Sequence, residues 1–259
     1  MAQRPGTGSP AAAEPVRIPR GIQRSARTSE IVASSIRGQI ARGELKPGDR
    51  FPAEDELMEV FGIARTTLRE ALRILESEGL VTVVRGRHGG PRVTSPTVEH
   101  IARMYALLLQ IEGVTIDDLY DSRAAIEPWL ARRFAETRTP KALADLKSAI
   151  EAAATATHDD DGAAFGEAAA RVHETLFEHA GNASMAIFAR LLNELVTGFY
   201  RKSGQAAGVT ERKRAVRSYR KFYKLVEAGD AEAAEEHWGR HMSYVGANVP
   251  AGHPLELFT

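Results

Sequence analysis

The spacing of apolar and polar residues divides the chain into two regions of different character. In the first, residues 28–95, apolar residues at every fourth position predict a helix that ends at Gly43. A second helix opens at Pro52 with an acidic first turn, and a third runs over residues 64–78. Each helix has one apolar face, so we expect the three to pack around a small common core.

Two short strand patterns follow the third helix. They cover residues 80–84 and 92–94, and the loop between them combines glycines with basic side chains. Residues 1–27, before the first helix, are rich in Pro, Gly, Ala and Arg but poor in large apolar groups, which predicts a disordered, Arg-containing tail. Three helices and a β-hairpin are therefore expected over residues 28–95.

Beyond Pro96 the strand patterns cease and helical spacing dominates. Seven apolar repeats, separated by Gly, Pro, Asn and Asp breaks, run over residues 96–247. We expect an all-α bundle of about seven helices there, followed by a short tail over residues 248–259. The predicted fold class is mainly α, with a small N-terminal unit carrying a hairpin and a larger helical bundle.

The composition excludes several classes of protein. With 43% hydrophobic and 26% charged residues, the 259-residue chain has enough apolar side chains for one or two cores. It contains no run of about 18 apolar residues and no apolar segment near its start, so we expect no membrane span, no secretory signal and a cytoplasmic location. Because cysteine is absent, a metal site would need nitrogen and oxygen donors.

Basic and acidic residues balance overall, at 34 against 34, but they are unevenly distributed. Residues 1–27 carry five Arg and one Glu, and residues 28–95 carry ten of each sign. Residues 96–259 carry 19 basic and 23 acidic side chains. A neutral total therefore does not argue against a polyanionic partner, because the local placement of the cations decides binding.

The third helix has a cationic face opposite its apolar face. Arg65, Thr66 and Arg69 lie within about 100° of one another on a helical wheel. A helix and a tight turn at Gly62 precede it, which is the arrangement that places a recognition helix in the major groove of DNA. Residues 79–95 add four basic side chains and no acid. We interpret the combination as a winged DNA-binding unit, against the alternative of a solvated charged face.

Residues 47–93 read PGDRFPAEDELMEVFGIARTTLREALRILESEGLVTVVRGRHGGPRV, and this run closely resembles the winged helix-turn-helix of the GntR family of bacterial transcription regulators. The later segments LYDSRAAIEPWLARRFAE and GRHM are similar to the ligand-binding domain of its FadR subfamily. The resemblance covers about residues 28–247. It implies a homodimer, cytoplasmic and nucleoid-associated, that binds a short palindrome in double-stranded DNA and responds to a small effector. Both a repressor and an activator are open, with a repressor as the first expectation.

The resemblance also implies which residues touch DNA, and they lie on the third helix and at the tip of the hairpin loop. They are Arg65, Thr66, Thr67 and Arg69 on the helix, and Arg87, His88 and Gly89 in the loop. Asp55 departs from the family pattern, since many members have Arg there and a carboxylate repels phosphate. Either that contact is absent or the base preference at that position differs.

Many members of the subfamily hold a divalent metal with one Asp and three His. The matching positions here are Ala169, His173, Tyr219 and His241, so two of the four ligands are lost. Ala cannot coordinate, and Tyr is a poor ligand because its pKa is about 10. His173 and His241 would bind a metal only with help from the effector, from water or from His237, one turn before His241. No cofactor is assigned, and the alternative is that these histidines are hydrogen-bonded pocket groups.

Arg123 is the best candidate anchor for an anionic effector, because its guanidinium matches a carboxylate bidentately. An internal ion pair with Glu127, four residues on, is the competing interpretation. Tyr219 could donate its hydroxyl to the effector. We therefore expect an effector site formed by Arg123, His173, Tyr219 and His241, for a metal-independent organic acid or acyl compound or for a larger, more apolar ligand.

Two other classes of function stay open at this point. One is a metal-dependent enzyme that uses His173, His237 and His241, and the other is an architectural DNA binder without an effector. No catalytic residue is assigned, because the sequence contains no Walker motif, no dinucleotide fingerprint after a strand and no nucleophile elbow.

Overall fold

The computed structural model describes residues 20–84, 90–203, 207–249 and 252–255. Within these ranges the chain forms ten helices and one two-stranded sheet, and it divides into two compact units, Met1–Pro96 and Thr97–Thr259. The predicted fold class is confirmed, because three helices and a β-hairpin precede seven further helices. None of the described helices combines the length and the apolar composition that a bilayer crossing requires.

The first unit contains three helices and the hairpin. These are α1 (Arg20–Ala41), α2 (Glu54–Phe61), α3 (Arg65–Ser77), β1 (Val81–Val84) and β2 (Gly90–Val93). Helix α3 packs on both α1 and α2, and Leu68 and Leu75 of α3 are fully buried against Ile36 of α1. The apolar face that the spacing predicted for α3 therefore forms the centre of this core.

The hairpin is antiparallel, with Val81 opposite Val93 and Val84 opposite Gly90. The chain before α2 extends it, since Gly48 donates a backbone hydrogen bond to the carbonyl of Val93 at 2.9 Å and Phe51 donates to Pro91 at 3.2 Å. The hairpin is thereby fixed to the helical core on one side. The predicted contacts Arg87, His88 and Gly89 lie outside the described residues.

Helix α1 is longer than the sequence pattern indicated. It begins at Arg20, within the segment that was expected to be a tail up to residue 27. No proline interrupts the chain between Pro19 and Pro47, and helical hydrogen bonding continues backwards from the apolar part of α1. The expectation that helix would begin near Thr28 is therefore corrected.

The second unit is the bundle of seven helices. They are α4 (Val98–Ile111), α5 (Ile116–Thr137), α6 (Pro140–His158), α7 (Gly162–His179), α8 (Ala183–Ser203), α9 (Val209–Ala228) and α10 (Ala231–Ala247). Helix α5 is central: it packs along α10 and also contacts α7, α8 and α9. Its residues Leu130 and Phe134 have no exposed surface. The position of α5 explains why its polar residues Arg123 and Glu127 are also buried.

Residues 252–255 belong to the bundle, although the sequence predicted a tail from residue 248. Ile116 donates a backbone hydrogen bond to the carbonyl of His253 at 3.0 Å, and Leu255 donates to the carbonyl of Val114 at 3.3 Å. The side chain of Leu255 is fully buried. The apolar pattern of the bundle helices ends before this segment, so helical spacing alone could not reveal it.

Candidate functional site

The turn between α2 and α3 sets the direction of the recognition helix. Gly62 caps α2 in the left-handed conformation, with φ of 62°, and its backbone N–H reaches the carbonyl oxygens of Glu59 and Met58. A residue with a Cβ rarely adopts this conformation, so glycine permits the sharp change of direction. Helix α3 then starts at Arg65 with its apolar side on the core.

The four residues predicted to contact DNA on α3 divide into two groups. Arg65, Thr66 and Arg69 are exposed, as the helical wheel indicated. Thr67 is only 8% exposed and follows the core side of the helix beside Leu68. At about 100° per residue, Thr67 lies 100° beyond Thr66, which carries it onto the packed face. The contact of Thr67 with DNA therefore stays a prediction of the family resemblance, and three of the four side chains, Arg65, Thr66 and Arg69, lie on the open face.

Acidic side chains of α2 form ion pairs with two of the three arginines of α3. Arg65 donates from Nη2 to Oδ1 of Asp55 at 2.5 Å, and its Nε lies 3.8 Å from Oε2 of Glu54. Arg69 donates from Nη2 to the same Glu54 oxygen at 3.4 Å. Asp55 was interpreted from the sequence only as a group that repels phosphate, and its bond to Arg65 was missed because the crossing of α2 and α3 creates it.

The helical unit contains a cavity of about 1290 Å³ that is open to solvent on one side and is lined mainly by residues of α5, α7, α8, α9 and α10. Arg123, His173, Tyr219 and His241, the four residues predicted to bind an effector, all line it. Their rings approach one another closely: the centroids of Tyr219 and His241 are 5.2 Å apart, and those of His173 and His241 are 6.0 Å apart. The structure thus brings all four together on one buried wall.

Glu127 connects three of the helices around this wall. Its Oε1 accepts a hydrogen bond from Nε of Arg123 at 2.5 Å, and its Oε2 lies 2.7 Å from Nδ1 of His173 and accepts from Nε1 of Trp238 at 2.9 Å. Burial alone would raise the pKa of Glu127, but Arg123 and His173 outweigh burial and lower it to about 2. The internal ion pair that competed with an anion-anchoring role for Arg123 is therefore formed.

The proton on His173 follows from these contacts. Nδ1 lies 2.7 Å from a Glu127 oxygen and 2.9 Å from Nη2 of Arg123. An ionised carboxylate can only accept, so the shorter contact assigns the proton to Nδ1 and leaves the lone pair on Nε2. Desolvation by burial lowers the pKa of His173, which keeps the ring neutral.

His241 and Tyr219 complete the buried wall with neutral polar groups. Nε2 of His241 is buried and has no hydrogen-bond partner among the described residues, and burial lowers the pKa of His241 to about 3. Burial raises the pKa of Tyr219 above its usual value, so its hydroxyl keeps its proton. An unpaired buried polar atom is costly, and a polar group of a ligand in the cavity would offset this cost.

The residues present do not fit a divalent metal. Within the described parts of the chain no three His, Asp or Glu side chains are grouped as a metal ion requires. Nε2 of His237 is not available as the third nitrogen, because it lies 2.9 Å from the carbonyl oxygen of Ser218 and donates to it. With Ala169 and Tyr219 at two of the ligand positions, His173 and His241 would be the only nitrogen donors.

Two features of the cavity were missed from the sequence. Trp238 donates to Glu127 from 111 residues away, and nothing in the helical spacing of the last helix distinguishes it from an ordinary apolar core residue. The rim of the cavity is cationic, with Arg214, Arg217 and Lys221 of α9 among its lining. Their spacing of three and four residues was a usable signal, since it places all three on one face of a helix.

Comparisons with known proteins agree with a DNA-binding first unit and a ligand-binding helical unit. Two protein-family models match the chain, "Bacterial regulatory proteins, gntR family" over residues 28–88 and "FCD domain" over residues 118–244. The chain is 30% identical over 230 residues to the HTH-type transcriptional repressor NanR of Enterobacter sp. (strain 638), covering 85% of each chain. It is 26% identical over 214 residues to the galactonate operon transcriptional repressor of Escherichia coli (strain K12), covering 81% of this chain and 91% of that protein.

A solved structure shows the same fold. The protein described as Streptococcus agalactiae GntR superposes with a TM-score of 0.69 at 21% identity, covering 85% of this chain and 100% of that one. At this level of identity the similarity concerns the arrangement of elements alone. The families and relatives that match are regulators of transcription and not enzymes.

Proposed function

This chain belongs to the GntR family of bacterial regulatory proteins, and on that premise we propose that it is a repressor whose affinity for its operator is set by a small organic anion bound in its FCD domain. It is a transcription regulator and not an enzyme, so a metal-dependent enzyme built on His173, His237 and His241 is not retained. It would act in the cytoplasm, where bacterial DNA lies.

The observation that carries the effector proposal is the convergence of uncommitted polar atoms on one cavity. Among the described residues, Nε2 of His241 and Nη1 of Arg123 have no hydrogen-bond partner, and Tyr219 lines the same space. A cavity with a few convergent polar groups is the usual form of a small-molecule site. Such a cavity is not expected in an architectural DNA binder, which has no effector to bind.

The chemistry of the wall favours a hydroxylated acid over an acyl chain. Its open groups are hydrogen-bonding nitrogens and a hydroxyl, which match the hydroxyl and carboxyl oxygens of a sugar acid. The Escherichia coli relative is named for the galactonate operon, and galactonate is such a compound. We place sugar acids first among the candidate effectors.

Operator binding is assigned to the open face of α3 and to the hairpin tip. Arg65 and Arg69 are suited to guanine edges or phosphates, and Thr66 to a phosphate or a thymine methyl group. Arg87, His88 and Gly89 are retained from the family resemblance as contacts of the wing. Two copies of α3, about 34 Å apart or less in a dimer, would read the two halves of a palindrome.

The dimer is proposed to form through an exposed apolar stripe on α4. Ile101, Met104, Leu108 and Ile111 lie three or four residues apart along this helix, and Met104 and Ile111 are 65% and 73% exposed. Ile187 and Phe188 of α8, the helix against which α4 packs, are also exposed. A contiguous apolar patch of this kind marks an interface, and a second copy would cover it with the same surface.

A ligand screen coupled to DNA binding tests the effector proposal. Sugar acids and other organic acids are screened for an increase in the unfolding temperature, with and without chelator, and those that bind are added to the protein–operator complex. We expect at least one acid to stabilise the protein and to release the operator whether or not chelator is present. The Tyr219→Phe and His241→Leu variants should lose the response but retain operator binding. An effector response that disappears with chelator would contradict the metal-independent site.

A further inference from the structure

The rim of the cavity carries a row of cations that the buried wall does not use. Arg214, Arg217 and Lys221 follow one another on α9 at intervals of three and four residues. At about 100° per residue they fall within about 60° of one another, and they extend over about 10 Å along the helix. All three line the cavity. We refer to them as the α9 cation row.

The α9 cation row is not neutralised by any residue that the structure describes. No carboxylate in the described parts of the chain forms an ion pair with any of the three, whereas their neighbours Arg212 and Arg220 are paired with Asp160 and Glu151. The guanidinium of Arg214 lies 3.5 Å from the centroid of the Tyr244 ring, a contact that orients the cation without removing its charge.

The charge of the whole lining also favours an anionic ligand. Three of the five lining arginines are ion-paired with glutamates outside the lining, Arg123 with Glu127, Arg201 with Glu194 and Arg240 with Glu236. Among the described residues this leaves the three cations of the α9 cation row against two lining glutamates, Glu167 and Glu211. An excess of cations around a concave surface attracts anions and strengthens their binding.

The buried wall, in contrast, is close to neutral. The charges of Arg123 and Glu127 cancel, and burial keeps His241 and His173 uncharged and Tyr219 protonated. A multiply charged group placed there would approach the carboxylate of Glu127 and lose its hydration. Hydroxyl groups avoid both costs. The cavity therefore separates a neutral, hydrogen-bonding end from a cationic end.

We propose that the effector is a phosphorylated polyhydroxy compound, of the sugar phosphate class, whose phosphate binds the α9 cation row at the rim and whose hydroxyls extend into the cavity towards His241. A phosphate has three strong acceptor oxygens and a charge between about −1.5 and −2, which matches three adjacent cations better than a single carboxylate does. The cavity volume of about 1290 Å³ exceeds the usual range for small ligands and accommodates the longer molecule. The proposal rests on the proposed function, because it assumes that this cavity is the effector site.

Calorimetric titration of the full-length protein tests the proposal with four probes: gluconate, 6-phosphogluconate, glucose 6-phosphate and inorganic phosphate. We expect the two sugar phosphates to bind at least about 10-fold more tightly than gluconate or phosphate alone, and to release the operator. The double variant Arg217→Gln, Lys221→Gln should reduce their affinity to that of gluconate. The matched control is Lys213→Gln, Lys224→Gln, which removes the same charge from exposed positions of α9 outside the lining and should leave the preference intact.

The outcomes separate this inference from the proposed function. If gluconate or another acid of the screen binds as tightly as the sugar phosphates and releases the operator, the phosphate inference is wrong and the proposed function stands. If no acid and no sugar phosphate binds, both are wrong. A loss of operator affinity in the Arg217, Lys221 double variant without any change in ligand affinity would assign the α9 cation row to DNA and would also overturn the inference.

Discussion

Asp55 accepts a hydrogen bond from the guanidinium of Arg65 at 2.5 Å, so an acid of α2 holds the first cation of the recognition helix. Both side chains are exposed, and an exposed ion pair contributes little to folding and exchanges readily for a phosphate or a base. The ion pair matters for DNA binding, because a duplex can contact Arg65 only by displacing Asp55. Non-operator DNA makes fewer other contacts with the protein to offset the cost of that displacement.

We predict that Asp55→Asn increases affinity for DNA in general and reduces discrimination in favour of the operator. Removing the carboxylate frees Arg65 and removes a charge that repels phosphate, so the slope of log K against log salt should become steeper by about 1. Fluorescence anisotropy with operator and scrambled duplexes over a salt series measures both effects. Glu59→Gln, which removes an exposed acid of α2 with no ion pair in the described residues, is the control.

Replacement of Arg69 by Ala should weaken operator binding by about 1–3 kcal/mol and relax base selectivity, because Arg69 lies on the open face of α3 near its start. Arg73→Ala should have a smaller effect, since Arg73 lies one turn further along and is close to Glu70 at 3.6 Å. The same binding assay compares the two variants. Equal losses would mean that α3 contacts DNA along its length and not through its first turns.

The two threonines of α3 should behave oppositely. Thr66→Val removes an exposed hydroxyl and should reduce operator affinity, whereas Thr67→Val alters a buried position and should leave operator affinity unchanged. Thermal unfolding measured alongside the binding assay shows that each variant is folded. A Thr67→Val protein that is stably folded but fails to bind would show that Thr67 turns outward on DNA.

Acid should destabilise the helical unit in two stages. His241 has its pKa lowered from 6.5 to about 3, so the unfolded chain binds the extra proton and stability falls as the pH drops below about 6.5. Glu127 has its pKa lowered from 4.5 to about 2, so its contribution is present above about pH 4.5 and is lost as the pH falls towards 2. Urea unfolding at a series of pH values should show less pH dependence between 6.5 and 4.5 in His241→Leu.

Removal of the carboxylate of Glu127 should be severe even at neutral pH. Glu127→Gln leaves the buried guanidinium of Arg123 without its counter-charge, and breaking a buried pair from one side costs about 3–5 kcal/mol. Urea unfolding at pH 7 measures the loss. Glu136→Gln on the same helix is the control, because its ion pairs with Arg132 and Arg133 are largely exposed and its loss should be small.

The proposed dimer surface predicts that Ile111→Asp produces a monomer. A charge in the α4 stripe would be buried against the second copy without a partner, so light scattering should report about half the mass. Operator affinity should fall with it, because one recognition helix then acts alone. Val60→Asp, an exposed apolar residue of α2, should leave the mass unchanged.

The sequence predicted side-chain positions best where they depend on the periodicity of a single helix. The exposure of Arg65 and Arg69 follows from the period of α3 alone, and the structure agrees. The bond between Arg65 and Asp55 depends on how α2 crosses α3, which no single-helix pattern contains. Thr67 was proposed from the family resemblance and not from the wheel, which places it about 100° beyond Thr66 and beside the apolar face, where the structure also has it.

In the cavity, too, contacts within one helix were predictable from the sequence and contacts between helices were not. The family resemblance identified His173 and His241, which lie on α7 and α10, as site residues. The spacing of four residues on one helix predicted the ion pair between Arg123 and Glu127. The role of Glu127 as the common acceptor for α5, α7 and α10 could not be predicted, since Trp238 reaches it from 111 residues away. Contacts of that range appear only once the bundle is assembled.

The pairing of residues 252–255 with the start of α5 has a practical consequence for handling the protein. Truncation at Ala247 would uncover the apolar site that Leu255 fills and would remove the backbone acceptor of Ile116. Purification tags and reporter fusions are therefore better attached at the amino end, and a carboxyl-terminal extension needs a flexible spacer so that this closing segment stays in place.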